Sequence, residues 1–428
     1  MNVIVAIPLE IRLGTLFLLG TWIGSLVNLG VYRLAWHARA ISPWSAPPAD
    51  APLRRRHDRV PILGWLGLRR ESGLHGRGFW IRPMLVEVLS GVGFAALYWW
   101  EIGRLGLILP GVAPPSPAVL HAVYASHLVL ISLMIVASLI DVDEKIIPDT
   151  ITISGTLFAL LAAAVCPRSL LPEMVRLANA GMLDDLFGPP AALPLPDFLR
   201  LTWPNVWPPW LDGFPHIWAL AIGLACWWLW CVALMHRTWY SRHGWVRAFE
   251  LLCARLRREA STWRILRMGL IGSAGIAGVW YVGGDRWAGL LSALVGMAAS
   301  GGIIWAIRII GSAVLRREAM GFGDVTLMAM IGAFLGWQPC LIVFFLAPFA
   351  GLVMGLASLV LRRGPEIPYG PFLCLAALVV LVRWVTLWEL TAWYFGLGWS
   401  LILVILLCLI LMVPLLIVSR MIRTAFGH

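Results

Sequence analysis

The stretch AVLHAVYASHLVLISLMIVASLI, residues 118–140, runs directly into DVDEKIIPD, residues 141–149. Residues 118–140 contain no Asp, Glu, Lys or Arg. That is long enough for an α-helix to cross the ~30 Å hydrocarbon core of a bilayer. Four acids and a lysine then arrive within nine positions. A boundary of this kind reads as a membrane helix reaching a polar face. The whole chain has the same character. Its 428 residues are 60% hydrophobic and 13% charged, with a mean hydropathy of +0.84. A soluble domain runs closer to half apolar and a quarter charged. An ordinary soluble enzyme, a disordered regulator and a disulfide scaffold are thereby excluded.

Working outward, eleven apolar segments follow one another at about 11–34, 84–109, 118–140, 151–166, 216–235, 268–284, 287–310, 325–338, 340–361, 370–389 and 393–419. The fourth, sixth and eighth are short. The expected architecture is therefore an all-α, polytopic transmembrane helix bundle of 9–11 spans. Nothing in residues 1–34 resembles a cleaved signal, since no basic n-region precedes a long apolar stretch.

The charges sort by side. The net charge is +11, which in a soluble protein would raise nucleic acid as a partner. Here nine arginines lie between Arg39 and Arg82, and eight lie between Arg237 and Arg267. Arg316, Arg317, Arg362, Arg363, Arg420 and Arg423 follow later segments, and all fall on one side if eleven spans alternate. This is the positive-inside pattern, with the amino terminus outside. The excess charge thus reports orientation, and no nucleic-acid partner is expected. The 25 tryptophans suit the membrane–water boundary. Seven scattered cysteines form no CxxC pair and read as small buried hydrophobes. In the second basic loop, Trp245, Val246, Phe249, Leu252, Cys253 and Leu256 recur at helical spacing. They suggest an amphipathic helix lying on the inner leaflet or docked on the protein itself.

Acids beside membrane segments are functional candidates. Asp141 ends one apolar run, with Asp143, Glu144 and Asp149 following it. In REAMGFGDVTLMAMIGAFLGW, residues 317–337, Gly321 and Gly323 flank Phe322, and Asp324 opens the next segment. Asp141 and Asp324 are thus expected at one depth and one face, on different helices. Two carboxyls held together at low dielectric do not both ionise, so one keeps a proton while the other is charged. An aspartic protease needs this arrangement to polarise a water. Plainer roles compete: Asp324 and Asp149 as helix N-caps, or Asp141 paired with Lys145 four residues on. Proton or ion transport also uses intramembrane acids. No calcium loop fits, because the glycine and terminal Glu of an EF-hand are missing.

The segments DVDEKIIPD (141–149) and GFGD (321–324) resemble the two active-site motifs of prepilin peptidases. These are the type IV leader peptidases, GxGD-type intramembrane aspartyl proteases. GSLVNLGVYRL (24–34), RVPILGWLGLRR (59–70), RPMLVEVLSG (82–91) and IPYGPFLCLAA (367–377) extend the likeness. It covers roughly 24–166 and 287–390. The resemblance implies that Asp141 and Asp324 are catalytic and that Asp143, Asp149, Gly321 and Gly323 support them. It implies cleavage of a basic leader from type IV prepilins or pseudopilins, at the cytoplasmic face of a bacterial inner membrane, after a Gly that precedes a hydrophobic helix. Partners are then those substrates and the lipid bilayer. Many members also carry two zinc-binding CxxC pairs in the first cytoplasmic loop. Here SPWSAPPADAP (42–52) and RESGLHGRG (70–78) stand there instead, so no zinc is expected. Bifunctional relatives N-methylate the new terminus with S-adenosylmethionine, and Glu87 is the residue here that could descend from such a site. Proteolysis itself asks for no cofactor. A proton- or ion-coupled transporter and a non-catalytic pilus or secretion scaffold are the rival functions.

The chain divides accordingly. Residues 1–83 hold the first span and basic loop, and 84–166 the spans with the first acid motif. Residues 167–286 form an insertion with an outer loop and extra spans. Residues 287–428 carry the second motif.

Overall fold

The computed structural model describes residues 6–425 apart from 38, 40, 48–49, 110–111, 174–196, 236–245, 247–249, 251–258, 317, 319 and 361–367. The proposed amphipathic segment at 245–256 lies almost wholly outside the described residues, as do His236 and His243. The fold is all-helical. Among the described residues there is no strand, and one isolated antiparallel bridge joins Pro172 to Phe198.

The first four long helices are α1 (Leu9–Leu34), α2 (Ile81–Tyr98), α3 (Pro117–Glu144) and α4 (Asp149–Val165). A π-helical turn, Trp99–Gly103, extends α2. Next come α5 (Ile217–Leu234), α6 (Ala260–Val282) and α7 (Gly284–Leu315). The last five are α8 (Phe322–Leu335), α9 (Trp337–Val360), α10 (Gly370–Val382), α11 (Trp384–Phe395) and α12 (Trp399–Ala425). Among the described residues, six helices are long and apolar enough to cross a membrane: α1, α2 with its π-turn, α3, α5, α6 and α7. Shorter apolar helices occupy Asp149–Val165, Phe322–Leu335, Trp337–Val353 and Ser400–Pro414.

The segment expected at 370–389 is not one straight span. It breaks into α10 and α11, bent by 96°. The cause is local. Arg383 is exposed and ends α10 after thirteen residues, while the next residue, Trp384, is fully buried and donates its indole N–H to Pro172 O at 2.9 Å. A charge at the helix end and an indole anchored to the adjacent loop turn the chain aside.

Three more indoles do similar work. Trp287 donates to Leu211 O at 2.8 Å, Trp337 to Leu201 O at 2.8 Å and Trp280 to His216 O at 3.2 Å. Gln338 adds a bond to Arg200 O at 2.9 Å. The tryptophans expected as interfacial anchors therefore also fasten the 197–216 loop across one end of the bundle. An apolar ring with a single donor suits this place, where one side of the residue is lipid-like and the other is backbone.

Helix α8 sits at the centre. Every residue from Asp324 to Leu335 is buried, and the helix packs against α3, α4, α7, α9 and α10. That packing requires backbones to touch. A Cβ on Gly332 would lie 2.3 Å from Gly296 O, and one on Gly296 would lie 2.3 Å from Gly332 O. Small residues at helix crossings are the usual means of close approach in membranes.

At the end opposite the tryptophan-fastened loop, residues 39–80 fold back onto α1 and α2. Glu87 of α2 is fully buried and accepts hydrogen bonds from Trp65 Nε1 at 2.8 Å, Asn28 Nδ2 at 3.3 Å and the Ile62 N–H. Ile62 has φ +65°, a value rare for a β-branched residue, and the carboxylate holds it there. Arg54 then ties the arms of the loop together. Its Nη1 donates to Ser42 O at 2.7 Å and Ser45 O at 2.8 Å, while Nε and Nη2 reach the two oxygens of buried Glu71 at 3.1 and 3.0 Å. A bidentate pair with both carboxylate oxygens engaged tolerates burial, but removing one partner strands a charge. Arg54→Ala is therefore expected to loosen the loop by about 3–5 kcal/mol. Limited trypsin digestion should show faster cutting between residues 54 and 77, largely reversed in an Arg54→Met/Glu71→Met double variant.

Candidate active site

The C-terminal turn of α3 carries Asp141. The sequence suggested that the helix stops at residue 140, but it continues through Glu144 and closes with Lys145 in the left-handed region at φ 56°. The Lys145 N–H bonds to Asp141 O at 2.8 Å. Two contacts lock this turn in place. Arg82 of α2 donates to Asp143 Oδ1 at 2.6 Å and to Leu139 O at 3.2 Å. Glu144 accepts the N–H groups of Trp36 and His37, just after α1, at 2.6 and 3.1 Å.

Asp324 comes from the first turn of α8. The plainer reading of Asp324 as the helix N-cap does not hold: Gly321 is the cap residue, and Asp324 is the third residue of the helix. Asp149 is likewise the first residue of α4, with Pro148 at its cap position. Carboxylates in a helix's first turn face the positive end of its dipole, which favours both placements, and the Asp324 carboxyl also accepts the backbone N–H of the cap residue Gly321.

Asp141 and Asp324 are 5% and 8% exposed, and both line one cavity of about 550 Å³. Ile147, Phe322, Pro368 and Tyr369 complete most of its wall, with Lys145 at the side. Gly321 and Gly323 line it too, so both motif glycines are where the sequence placed them. Asp143 and Asp149 are not among the lining residues. Asp143 acts on α2 through Arg82, and its support for the site is indirect.

A third element was missed. Gly370, the first residue of α10, donates its N–H to Asp141 Oδ2 at 3.1 Å. It belongs to the IPYGP segment that the family likeness picked out, but it carries nothing that titrates, so a search for acids passes it by. Its smallness is required: a Cβ there would lie 2.5 Å from Asp141 Oδ2 and 3.0 Å from Ile147 Cδ1. Ile147 is the hub of this packing, because a Cβ on Gly323 would lie 2.8 Å from Ile147 Cβ. Gly321 is different, with its nearest neighbour, Asp324 Oδ2, at 3.6 Å and φ at −65°. Of the two motif glycines, only the second is sterically obligatory.

Two segments of the chain match known family models, and the later of them contains Asp324. The model of the Type IV leader peptidase family matches residues 262–356, and that of the Bacterial Peptidase A24 N-terminal domain matches residues 18–101. Over these two segments the chain is similar to the type IV leader peptidase family. Relatives carrying the name Prepilin leader peptidase/N-methyltransferase include the Aeromonas hydrophila protein, 33% identical over 124 residues, or 25% of this chain and 41% of that one. The Stutzerimonas stutzeri protein is 35% identical over 96 residues, covering 22% of this chain and 32% of its own. The Myxococcus xanthus protein is 30% identical over 148 residues, covering 35% and 39%. The matches thus span 32–41% of these relatives' own lengths. No solved structure matches the chain. The Asp141 stretch lies between the two matched segments, so its place in a type IV leader peptidase site rests on the motif and on the shared cavity.

Two groups associated with such peptidases fit poorly here. At the positions corresponding to the zinc-binding cysteines, the Ser42 and Ser45 carbonyls and the Glu71 carboxylate already surround the Arg54 guanidinium. Among the described residues, no three His, Cys, Asp or Glu side chains converge on a metal position. Glu87 is buried with both oxygens accepting from protein donors, so it does not present a carboxylate to a sulfonium ligand.

The glycine geometry gives an ordered expectation for cleavage of a leader-bearing substrate. Gly321→Ala should stay within about threefold of the wild type, since it creates no contact closer than ordinary packing. Gly370→Ala should fold normally yet lose about a hundredfold in rate, because the new methyl displaces the Asp141 carboxyl. Gly323→Ala should lose both rate and thermal stability.

Proposed function

We propose that this chain is a membrane-embedded aspartic endopeptidase that removes the basic leader from type IV prepilins or pseudopilins at the cytoplasmic face of a bacterial inner membrane. The observation that carries this reading is the convergence of Asp141 and Asp324, 183 residues apart in sequence, on one cavity at the arginine-rich end of the bundle. The names of the relatives support the substrate class.

The geometry suits general acid–base hydrolysis. A water between the carboxyls loses a proton to the ionised one as its oxygen attacks the scissile carbonyl carbon. The protonated carboxyl donates to the carbonyl oxygen, giving a tetrahedral diol. Collapse of the diol breaks the C–N bond, and the leaving amine takes up a proton from the dyad. Which oxygen holds the shared proton at the start is a property of the pair rather than of either residue. The scheme needs only the two acids and water, and so no metal or organic cofactor.

Substrate delivery follows from depth. A substrate helix standing in the bilayer brings its junction with the basic leader to the membrane boundary, where α3 ends and α8 begins. The cavity is open enough for extended chain, and Gly321 and Gly323 leave part of its wall free of side chains.

The test is cleavage of a prepilin-like substrate by the purified chain in lipid nanodiscs. The wild type should cut once, after the leader. Asp141→Asn and Asp324→Asn should each lose about 10³-fold or more in rate, and Asp143→Asn much less. Full activity in either of the first two variants would sink the dyad. A wild type inactive on every leader tried would return the function to a scaffold, or to a transporter if the same aspartates proved to carry proton flux.

A further inference from the structure

We propose that Arg308 of α7 is a positioning residue for Asp324, acting through the loop that joins α7 to α8. This rests on the protease reading above and adds to it a side chain that no motif marks. Arg308 is buried although it is charged and lies within a long apolar helix. Its Nε donates to Met320 O at 2.9 Å, and its guanidinium stands 5.6 Å from the centre of the Phe322 ring. Its Nη2 reaches Glu318 Oε1 at 3.4 Å, but Glu318 is 78% exposed, so that pair is mostly solvated and weak.

The contacts fall at a particular place. Met320, Gly321 and Phe322 all line the catalytic cavity, and Asp324 follows in the first turn of α8. The chain reverses at Arg316, in the left-handed region at φ 53°, and must then deliver Gly321 to the cap of α8. Gly321, whose Cβ position has no neighbour closer than 3.6 Å, leaves this return soft, whereas Gly323 is already packed against Ile147. A buried guanidinium bonded to the carbonyl just before Gly321, with its flat face near Phe322, removes that freedom on both flanks of the first glycine. The entry angle of α8, and with it the direction of the Asp324 carboxyl, is then held from α7. Arg308 is not among the residues lining the cavity, so its effect is positional rather than chemical.

The experiment compares Arg308→Met, Arg308→Lys and Glu318→Gln in nanodiscs by two readouts. One is hydrogen–deuterium exchange of the peptide covering 320–324, and the other is steady-state cleavage of a prepilin-like substrate. Arg308→Met should exchange about tenfold faster there and elsewhere as the wild type. Its kcat should fall about tenfold or more, with KM held within about twofold, because misdirected catalytic groups weaken the transition state rather than substrate binding. Arg308→Lys, which keeps one donor, should fall between, and Glu318→Gln should resemble the wild type. Wild-type exchange and kcat in Arg308→Met, or in Arg308→Lys should Arg308→Met not fold, would overturn the proposal. If the wild type cleaves nothing, the protease reading fails, yet the exchange readout still decides whether Arg308 holds the loop.

Discussion

The structure turns on the shortness of α8 and its burial from Asp324 to Leu335. Fourteen residues rise about 21 Å, which is less than the ~30 Å of a hydrocarbon core. A helix of that length cannot reach both surfaces of such a core, and Asp324 in its first turn is buried within the bundle. The recess exists because five helices can close around α8, and they can do so because Gly296 and Gly332 let two backbones meet. Leaving water is expensive for a single charged carboxylate. It is less so for two carboxyls that carry one charge and one proton between them. The packing constraint and the chemistry are thus linked: the bundle creates a place where two acids are tolerated only as a pair.

The rest of the molecule holds the partners of α8 in position. At the site end, Asp141 is fixed by Gly370 from α10, by the Arg82–Asp143 pair on α2 and by the bond of Glu144 to the chain after α1. At the other end of α10, Trp384 and the loop carbonyl of Pro172 fix the turn into α11. A thirteen-residue helix anchored at both ends is a rigid strut about 20 Å long. Its position cannot drift without moving the donor that meets Asp141. The loop at 39–80 is held by the same physics at a different place, through buried carboxylates that are each satisfied by several donors.

Much of this was legible in the sequence, and the parts that were not have physical reasons. Residues 118–149 show an uncharged run that meets acids, and the GFGD segment shows a carboxylate opening an apolar run, so both aspartates stood out as misplaced charges. The sidedness of the charges paired them, and the family likeness gave the pair a role. Three features were hidden. Apolar runs look alike whether they face lipid or are wrapped by other helices, so the enclosure of α8, although its segment was visibly short, and the bend between α10 and α11 were not distinguishable. Gly370 and Ile147 act through backbone and volume, which leave no mark in a search for titratable residues. Buried polar contacts were hidden too: Glu87 is fully buried, and Glu101 in the π-turn meets His127 of α3 at 2.6 Å. Such pairs depend on which helix faces meet, and one sequence does not reveal that.

The central claim is that Asp141 and Asp324 work as one coupled acid–base pair. The pH dependence of kcat/KM for leader cleavage tests it most directly, measured in nanodiscs with a substrate that has no titratable group near the scissile bond. The account predicts a bell, because activity requires one carboxyl charged and the other protonated, and both limbs belong to the pair. A profile with a single limb, or one that is flat across the acidic and neutral range, would contradict it.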